Sequence, residues 1–224
     1  MPMCSTPSRV LAFAGLLVGG IAFANDVQFR PDQAPGTAVQ VEAGKARYAA
    51  CAGCHGSEGE GRVGMGPRLN SASYLASVSN EFLTATIKDG RPQTNMIPWG
   101  AALGDDGIAE LVAYLRSWQT VDGYTLDESP LTGTVSAGDE LYRKICATCH
   151  GRSARGYAEA GSGTGIGSKQ LLAAASNGLL RSLIHRGKDN TAMRPFDAKA
   201  PTAVANLTDE EIDSIIQYLR ANAW

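Results

Sequence analysis

Two short stretches of the chain share one arrangement of cysteine and histidine. The motif is Cys-x-x-Cys-His, and its copies occupy 51–55 ("CAGCH") and 146–150 ("CATCH"). Two thiols on one helical turn can each add to a vinyl group on one edge of a porphyrin, and the histidine after them then lies beneath the iron. This spacing is the attachment signature of c-type haem. The sequence therefore predicts two covalently bound haem c groups, attached and ligated by these residues: Cys51, Cys54, His55, Cys146, Cys149 and His150.

Other chemistries of paired cysteines explain the motif less well. Disulfides would fit an oxidising compartment, but they do not account for the histidine after each pair. A thioredoxin-like redox pair requires a strand–helix setting, and we see no strand-like alternation. A closed zinc site takes four ligands per metal, so six ligands would leave two over. The net charge of −2 and an aromatic content of 7% give no sign of a nucleic-acid partner.

The first 24 residues are typical of a secretory signal peptide. Arg9 precedes an apolar run at 10–24 that ends in small residues. This run has 15 residues, whereas a helix that spans a bilayer needs about 20. We therefore expect cleavage and export, with the mature protein soluble in the periplasm. An uncleaved membrane anchor is the alternative.

The repeat extends well beyond the cysteines. "IKDGR" at 87–91 returns in outline as "IHRGK" at 184–188, and the segment at 103–117 returns as 207–221. Landmarks in the same order indicate two homologous units. We predict a division into five parts: a signal peptide at 1–24, an N-terminal extension at 25–40, a first domain at 41–118, a linker at 119–135 and a second domain at 136–224.

Each unit has the pattern of three short helices separated by glycine-rich loops. Helices are predicted at 42–51 and 138–146, at 80–89 and 177–186, and at the end of each unit. Thr208 and Glu211 form a capping box for the last one. The closing helices each carry one apolar face at helical spacing, formed by Ile108, Leu111, Val112 and Leu115 in the first unit and by Ile212, Ile215, Ile216 and Leu219 in the second. The predicted fold is all-α, and domains this small should need the haem to fill their centres.

These features, over residues 41–118 and 136–222, resemble the class I c-type cytochromes, in particular the members with two fused domains. The resemblance implies that a methionine reaches each iron from the side opposite the histidine, some forty residues along the chain. Met96 lies 41 residues after His55, and Met193 lies 43 residues after His150. Each is followed closely by a proline and an aromatic residue, so both are predicted to be sixth ligands.

The resemblance also concerns the loop on the histidine side. Pro67 stands in a Gly-Pro-x-Leu segment, which implies that its carbonyl accepts a hydrogen bond from His55. No proline stands in the second unit's counterpart, "AGSGTGIGS" at 160–168, so the partner of His150 is left open. Met65, in the first of these loops, is interpreted as a packing residue.

Charged and titratable residues differ between the units. Glu58 and Glu60 follow the first motif, whereas Arg152 and Arg155 follow the second. One interpretation is that these are solvated surface charges. The sharper hypothesis is that the two haem faces serve different partners, with the arginines docking an acidic one. His185 corresponds to Lys88 of the first unit and is interpreted as structural.

The function predicted from these residues is electron transfer between redox proteins whose identity the sequence does not reveal. Histidine and methionine together close both axial positions and suit outer-sphere electron transfer, so no catalysis by this chain alone is expected. One alternative is a cytochrome subunit of a larger membrane or periplasmic oxidoreductase. A second is a two-haem peroxidase or thiosulfate-oxidising enzyme, which would need an open or displaceable axial position.

Overall fold

The computed structural model describes residues 27–197 and 199–224, so the predicted signal peptide lies outside the described residues. The first domain holds five helices in this part of the chain. They are α1 (Ala38–Tyr48), α2 (Ala52–His55), α3 (Ala72–Ser77), α4 (Asn80–Asp89) and α5 (Gly100–Arg116). Helix α5 is kinked at Gly104, whose φ of 64° lies in the left-handed region.

The second domain repeats this order. Its helices are α6 (Val135–Leu141), α7 (Ala147–His150), α8 (Lys169–Ala174), α9 (Asn177–Arg186) and α10 (Asp209–Ala221), with a π-helical turn at Tyr142–Cys146. The described ranges contain no β-strand and one isolated bridge, between Arg62 and Gly66. No helix in these ranges has both the length and the apolar character needed to span a membrane. The predicted all-α fold is confirmed.

The predicted helices differ from the observed ones mainly at the start of each domain. Helices α4 and α9 match the predicted 80–89 and 177–186. The capping box of α10 is present, since the Thr208 amide donates to Glu211 Oε2 at 2.8 Å and the Glu211 amide donates to Thr208 Oγ1 at 3.2 Å. Helix α1 begins earlier than predicted because Thr37 caps it and accepts a bond from the Gln40 amide. The short helices α3 and α8 were not predicted.

The first and last helices of each domain cross at a glycine. A Cβ at Gly44 of α1 would lie 1.9 Å from the carbonyl oxygen of Glu110 on α5. A Cβ at Gly138 of α6 would lie 1.9 Å from that of Ser214 on α10. Only glycine permits backbones to approach this closely. The apolar faces predicted for α5 and α10 are buried in this contact region, which anchors the segment that leads into each cysteine motif.

An arginine at the end of each domain holds the turn between its two middle helices, buried in the case of Arg116 and partly exposed in the case of Arg220. Arg116 donates to the carbonyl oxygens of Leu75 and Val78 at 2.6 and 2.5 Å, and to Asn80 Oδ1 at 2.6 Å. The equivalent bonds of the second domain run from one arginine to three residues of the matching turn: Arg220 to Leu172, Ala175 and Asn177. In the first domain, Gln33 Nε2 also donates to the carbonyls of Leu75 and Val78, at 3.1 and 2.8 Å, so these buried acceptors have two donors each.

A one-residue insertion separates the two copies just before the cysteine motif. Three positions separate Tyr48 from Cys51, whereas four separate Tyr142 from Cys146. The π-helical turn absorbs the extra residue, because the Ala147 amide donates to the carbonyl of Tyr142, five positions back. The tyrosine and the motif thereby keep equivalent places in both domains.

Candidate haem-binding sites

The histidine of the first motif is buried and held by a backbone bond. His55 Nδ1 lies 2.9 Å from the carbonyl oxygen of Pro67, as the resemblance to class I cytochromes implied. A carbonyl can only accept, so Nδ1 carries the proton and Nε2 keeps its lone pair. This is the arrangement that orients an imidazole toward a metal.

The second motif uses a different residue for the same bond. His150 Nδ1 lies 2.8 Å from the carbonyl oxygen of Thr164, which answers the question left open by the missing proline. Gly163 lies against the same ring, since a Cβ there would come within 2.9 Å of the imidazole Nδ1 and Cε1 atoms. The glycine-rich sequence therefore lets the backbone close in on the histidine without a proline.

Burial also keeps both imidazoles in the form that binds metals. It lowers the pKa of His55 and that of His150, and the hydrogen bonds to Pro67 and Thr164 oppose this shift only in part. Lys188, on the second domain, adds a smaller charge repulsion that further lowers the pKa of His55. Both rings are therefore neutral at neutral pH, and a neutral imidazole is the metal-binding species.

A tyrosine in each domain holds the glycine after the motif. The hydroxyl of Tyr48 donates to the carbonyl of Gly56 at 2.9 Å, and that of Tyr142 donates to the carbonyl of Gly151 at 2.7 Å. Both rings are almost fully buried. Neither tyrosine was predicted as part of the site, although each one closely precedes its motif and is a shared landmark of the repeat.

The two predicted methionine ligands lie in loops with the same internal bonds. In the first domain, the Arg91 amide donates to the Met96 carbonyl at 2.7 Å, and the Met96 amide donates to Thr94 Oγ1 at 3.1 Å. The second-domain loop has the same two bonds at 2.8 and 3.0 Å, formed by Lys188, Thr191 and Met193. The two loops therefore share the same backbone bonds around their methionines, and ligation by Met96 and Met193 stays a prediction.

The cysteines of both motifs fit covalent attachment of haem. All four are unpaired thiols of intermediate exposure on the turns that lead to the histidines. Burial raises the pKa of Cys51, and it raises that of Cys146 to about 12, so neither thiol is ionised at neutral pH. Within the described ranges, no three His, Cys, Asp or Glu side chains converge to hold a metal ion by themselves. Two thiols beside one histidine are the donors that attachment and ligation of a haem require.

Two interpretations of individual residues need correction. Met65 is 48% exposed, so it is not the packing residue that was expected. Arg155 is not a free surface charge, because its Nη1 donates to Gln93 Oε1 of the first domain at 2.8 Å and its guanidinium lies 4.3 Å from the Trp224 ring centroid. Arg152 is exposed and remains the candidate for partner contact.

His185 behaves like the lysine it replaces. Its Nε2 lies 2.9 Å from Asp209 Oδ1, and Lys88 Nζ lies 2.8 Å from Asp105 Oδ1 at the equivalent place in the first domain. Both side chains tie the fourth helix of a domain to its closing helix. This contact is consistent with the structural role expected for His185.

Comparison with protein families finds a match to each half of the chain. Residues 39–115 match the model for cytochrome c oxidase, cbb3-type, subunit III, and residues 135–223 match the model for cytochrome c. Each match spans the cysteine motif and the predicted methionine of its domain.

Curated relatives extend this result. Cytochrome c-554(548) of Halomonas halodenitrificans is 34% identical over 77 residues, which are 34% of this chain and 92% of that protein. Cytochrome c4 of Thiocapsa roseopersicina is 24% identical over 190 residues, covering 80% of this chain and 91% of that one. The cbb3-type oxidase subunit FixP of Azorhizobium caulinodans is 32% identical over 119 residues, covering 50% of this chain. The match spans only 38% of the length of that subunit.

A solved structure shares the fold at low identity. The chain superposes with a TM-score of 0.52 and 22% identity on a chain of the Kuenenia stuttgartiensis reducing HAO-like protein complex, covering 86% of this chain and 98% of that one. The chain belongs to the c-type cytochromes, with two cytochrome c domains in tandem and two covalent haem c groups.

Proposed function

We propose that this protein is an electron carrier that binds each haem iron between a histidine and a methionine. The ligands are His55 and Met96 in the first domain and His150 and Met193 in the second. When bound, haem supplies an iron that gains or loses one electron. The observation that carries the proposal is the duplication of the whole site: the same histidine-to-carbonyl bond and the same methionine loop occur in both domains.

The axial ligands also account for the proposed absence of catalysis by this chain alone. With His55 and Met96, or His150 and Met193, both holding the iron, no place would be left for a substrate there, and this ligation would raise the reduction potential. A two-haem peroxidase or thiosulfate-oxidising enzyme would need that position to open. The four cysteines of residues 27–224 all belong to the two attachment motifs, so none is left to act as an alternative ligand.

Location and domain organisation belong to the same proposal. Residues 1–24 act as an export signal, 25–40 form an extension, 119–135 link the domains at 41–118 and 136–224, and the protein works in the periplasm. The sequence pattern at 9–24 supports export. N-terminal sequencing of the protein purified from its own host tests cleavage after residue 24, and retention of the apolar run would instead support an anchor.

Similarity to cbb3-type oxidase subunits favours a second candidate, a cytochrome subunit of a larger oxidoreductase. The first domain matches the subunit III family, although the chain covers well under two thirds of the FixP subunit it matches. Gentle purification from the native host separates the two candidates. A monomeric or dimeric cytochrome supports the free carrier, and stoichiometric co-purification with an oxidoreductase supports the subunit.

The ligands can be tested by a pair of methionine variants with a matched control. We expect the oxidised protein to have two attached haems by mass and a weak near-infrared sulfur-to-iron band. Met96→Ala and Met193→Ala should each remove about half of that band, and Met65→Ala, a half-exposed methionine in the first domain, should leave it intact. Loss of the band in Met65→Ala with retention in Met96→Ala would show that the wrong methionine was chosen.

A further inference from the structure

The two methionine loops differ in the contacts of their first residue, which is Arg91 in the first domain and Lys188 in the second. In the first domain, the guanidinium of Arg91 turns back to its own domain and donates to Thr86 Oγ1 at 2.6 Å and to the Gly90 carbonyl at 3.1 Å. The corresponding lysine of the second domain crosses the domain interface. Lys188 Nζ donates to the carbonyl of Arg68 at 2.9 Å.

The residue after Lys188, Asp189, also binds the first domain. The Asp189 carboxylate accepts bonds from the Ser71 hydroxyl (2.8 Å), the Ala72 amide (3.1 Å), and the amide (2.7 Å) and hydroxyl (2.6 Å) of Ser73. These groups lie at the beginning of α3 in the first domain. Hydrogen bonds to an ionised carboxylate are stronger than neutral ones. The counterpart in the first domain is Pro92, which is exposed and has no side-chain group that could accept such bonds.

The surroundings of the lysine connect the loop to the first haem site as well. Lys188 Nζ lies 4.1 Å from the centroid of the Tyr74 ring, within the range of a cation–π contact. Its acceptor, the Arg68 carbonyl, directly follows Pro67, whose own carbonyl holds His55. The second domain's methionine loop therefore rests on the segment that supports the first domain's histidine.

The reverse contact is much slighter. The first domain's loop receives one described bond from the second domain, from Arg155 Nη1 to Gln93 Oε1 at 2.8 Å, and the acceptor is an exposed neutral amide. Between these loops, the hydroxyls of Ser77 and Ser182 meet at 2.9 Å in the buried part of the interface. The interface is therefore asymmetric, with charged groups of the second domain's loop bound to backbone and hydroxyl groups of the first.

We propose that Lys188 and Asp189 are positioning residues that use the first domain as the support for the second domain's methionine loop. Met193 is thereby held in place across the domain interface, whereas Met96 is held mainly by its own domain. The inference rests on the proposed methionine ligation. It implies that a substitution in the first domain can loosen the sulfur ligand of the second haem.

The test isolates one sulfur ligand at a time. In a Met96→Ala background the remaining near-infrared band reports Met193 alone, and in a Met193→Ala background it reports Met96 alone. Asp189→Ala should make the Met193 band disappear at a lower temperature, with a population of detached ligand about tenfold larger at a fixed temperature, since a hydrogen bond to a charged group shifts an equilibrium by at least that factor. Ser73→Ala, a substitution in the first domain, should likewise lower the temperature at which the Met193 band disappears.

The matched control is Pro92→Ala, the equivalent position of the first loop, which should leave the Met96 band unchanged. Ser73→Ala should also leave the Met96 band unchanged. Hydrogen exchange at the Thr191 and Met193 amides gives a readout independent of the haem spectrum, and it should accelerate about tenfold in both Asp189→Ala and Ser73→Ala.

The outcomes separate this inference from the proposed ligation. If Met193→Ala leaves the band of the otherwise unaltered protein intact, the ligation itself is wrong. If Met193→Ala halves the band but Asp189→Ala and Ser73→Ala change neither its thermal stability nor the amide exchange, only the positioning role is overturned. An equal effect of Ser73→Ala on both methionine bands would also overturn it, because that result indicates general destabilisation of the interface.

Discussion

The first and second domains share a haem-binding unit, but the second relies more on contacts outside its own domain to hold its loops in place. In the first domain, the carbonyl of Pro67 binds the histidine, and Arg91 forms its hydrogen bonds within the same domain. In the second domain, the carbonyl of Thr164 binds the histidine, and Lys188 donates across the interface to the first domain. The second domain also holds the linker, because Arg181 pairs with buried Asp213 at 2.6 Å and donates to three linker carbonyls.

That ion pair has no counterpart in the first domain. Thr84 and Ala109 occupy the positions equivalent to Arg181 and Asp213. A buried pair of this kind carries a desolvation cost, and it persists where its remaining hydrogen-bond groups are satisfied. Here the linker carbonyls supply those partners. The comparison shows that a duplicated unit can conserve its site through backbone contacts while its two copies acquire different roles in holding the molecule together.

The largest effect is expected from removing the attachment cysteines of one domain at a time. A small domain has little stability to spare, on the order of 5–15 kcal/mol, and loss of the group at its centre should unfold it. Cys51→Ala with Cys54→Ala should abolish most helical circular dichroism, because the second domain also loses its support. Cys146→Ala with Cys149→Ala should leave the first domain's share of the signal. Wild-type helicity without haem would contradict both expectations.

The next largest effect is expected at the arginines that brace the middle helices. Arg116→Met should lower the free energy of unfolding by about 3 kcal/mol, because it removes three hydrogen bonds of a buried guanidinium, and a hydrogen bond to a charged group contributes about 1.5–3 kcal/mol. The loss is limited because Gln33 still donates to the carbonyls of Leu75 and Val78. Arg220→Met should cost less, since Arg220 is partly exposed and Arg116 is only 1% exposed. Urea unfolding measures both changes. Arg116→Lys keeps the charge but loses the planar set of donors, so its free energy of unfolding should lie between those of the unaltered protein and Arg116→Met. Equal losses of stability in Arg116→Met and Arg220→Met would contradict the expected effect of burial.

The smallest effect concerns the charges after each motif. Arg152→Glu should change stability by no more than about 0.5 kcal/mol, yet slow electron exchange with an acidic partner by a few-fold at low salt. Arg155→Glu should instead weaken the domain interface, because it loses the bond to Gln93 of the first domain; it also loses the contact to Trp224 within its own domain. Glu58→Lys in the first domain is the matched control and should not slow exchange with that partner. Electron-exchange rates that do not depend on these charges at low or high salt would show that Arg152 does not contact the partner.

Much of the helical scaffold could be read from local signals. Helices α4 and α9 were predicted correctly because a serine cap and an ordered apolar face lie within ten residues of each other. The short helices α3 and α8 were missed because six residues are too few to show a period. The extra residue between Tyr142 and Cys146 gave no local sign of a π-helical turn, because that turn exists to keep two more distant groups in place.

The sequence by itself determined the chemistry of this protein: the Cys-x-x-Cys-His motifs, their repetition and the matching methionines are properties of residue type and spacing. Only the tertiary structure decided which groups support that chemistry. Ser73 and Asp189 are 116 residues apart, and the carbonyl of Thr164 carries no signal in its side chain. Contacts between distant segments and bonds made by the backbone depend on how the chain closes on itself, and this is why Arg155 proved to be part of the interface.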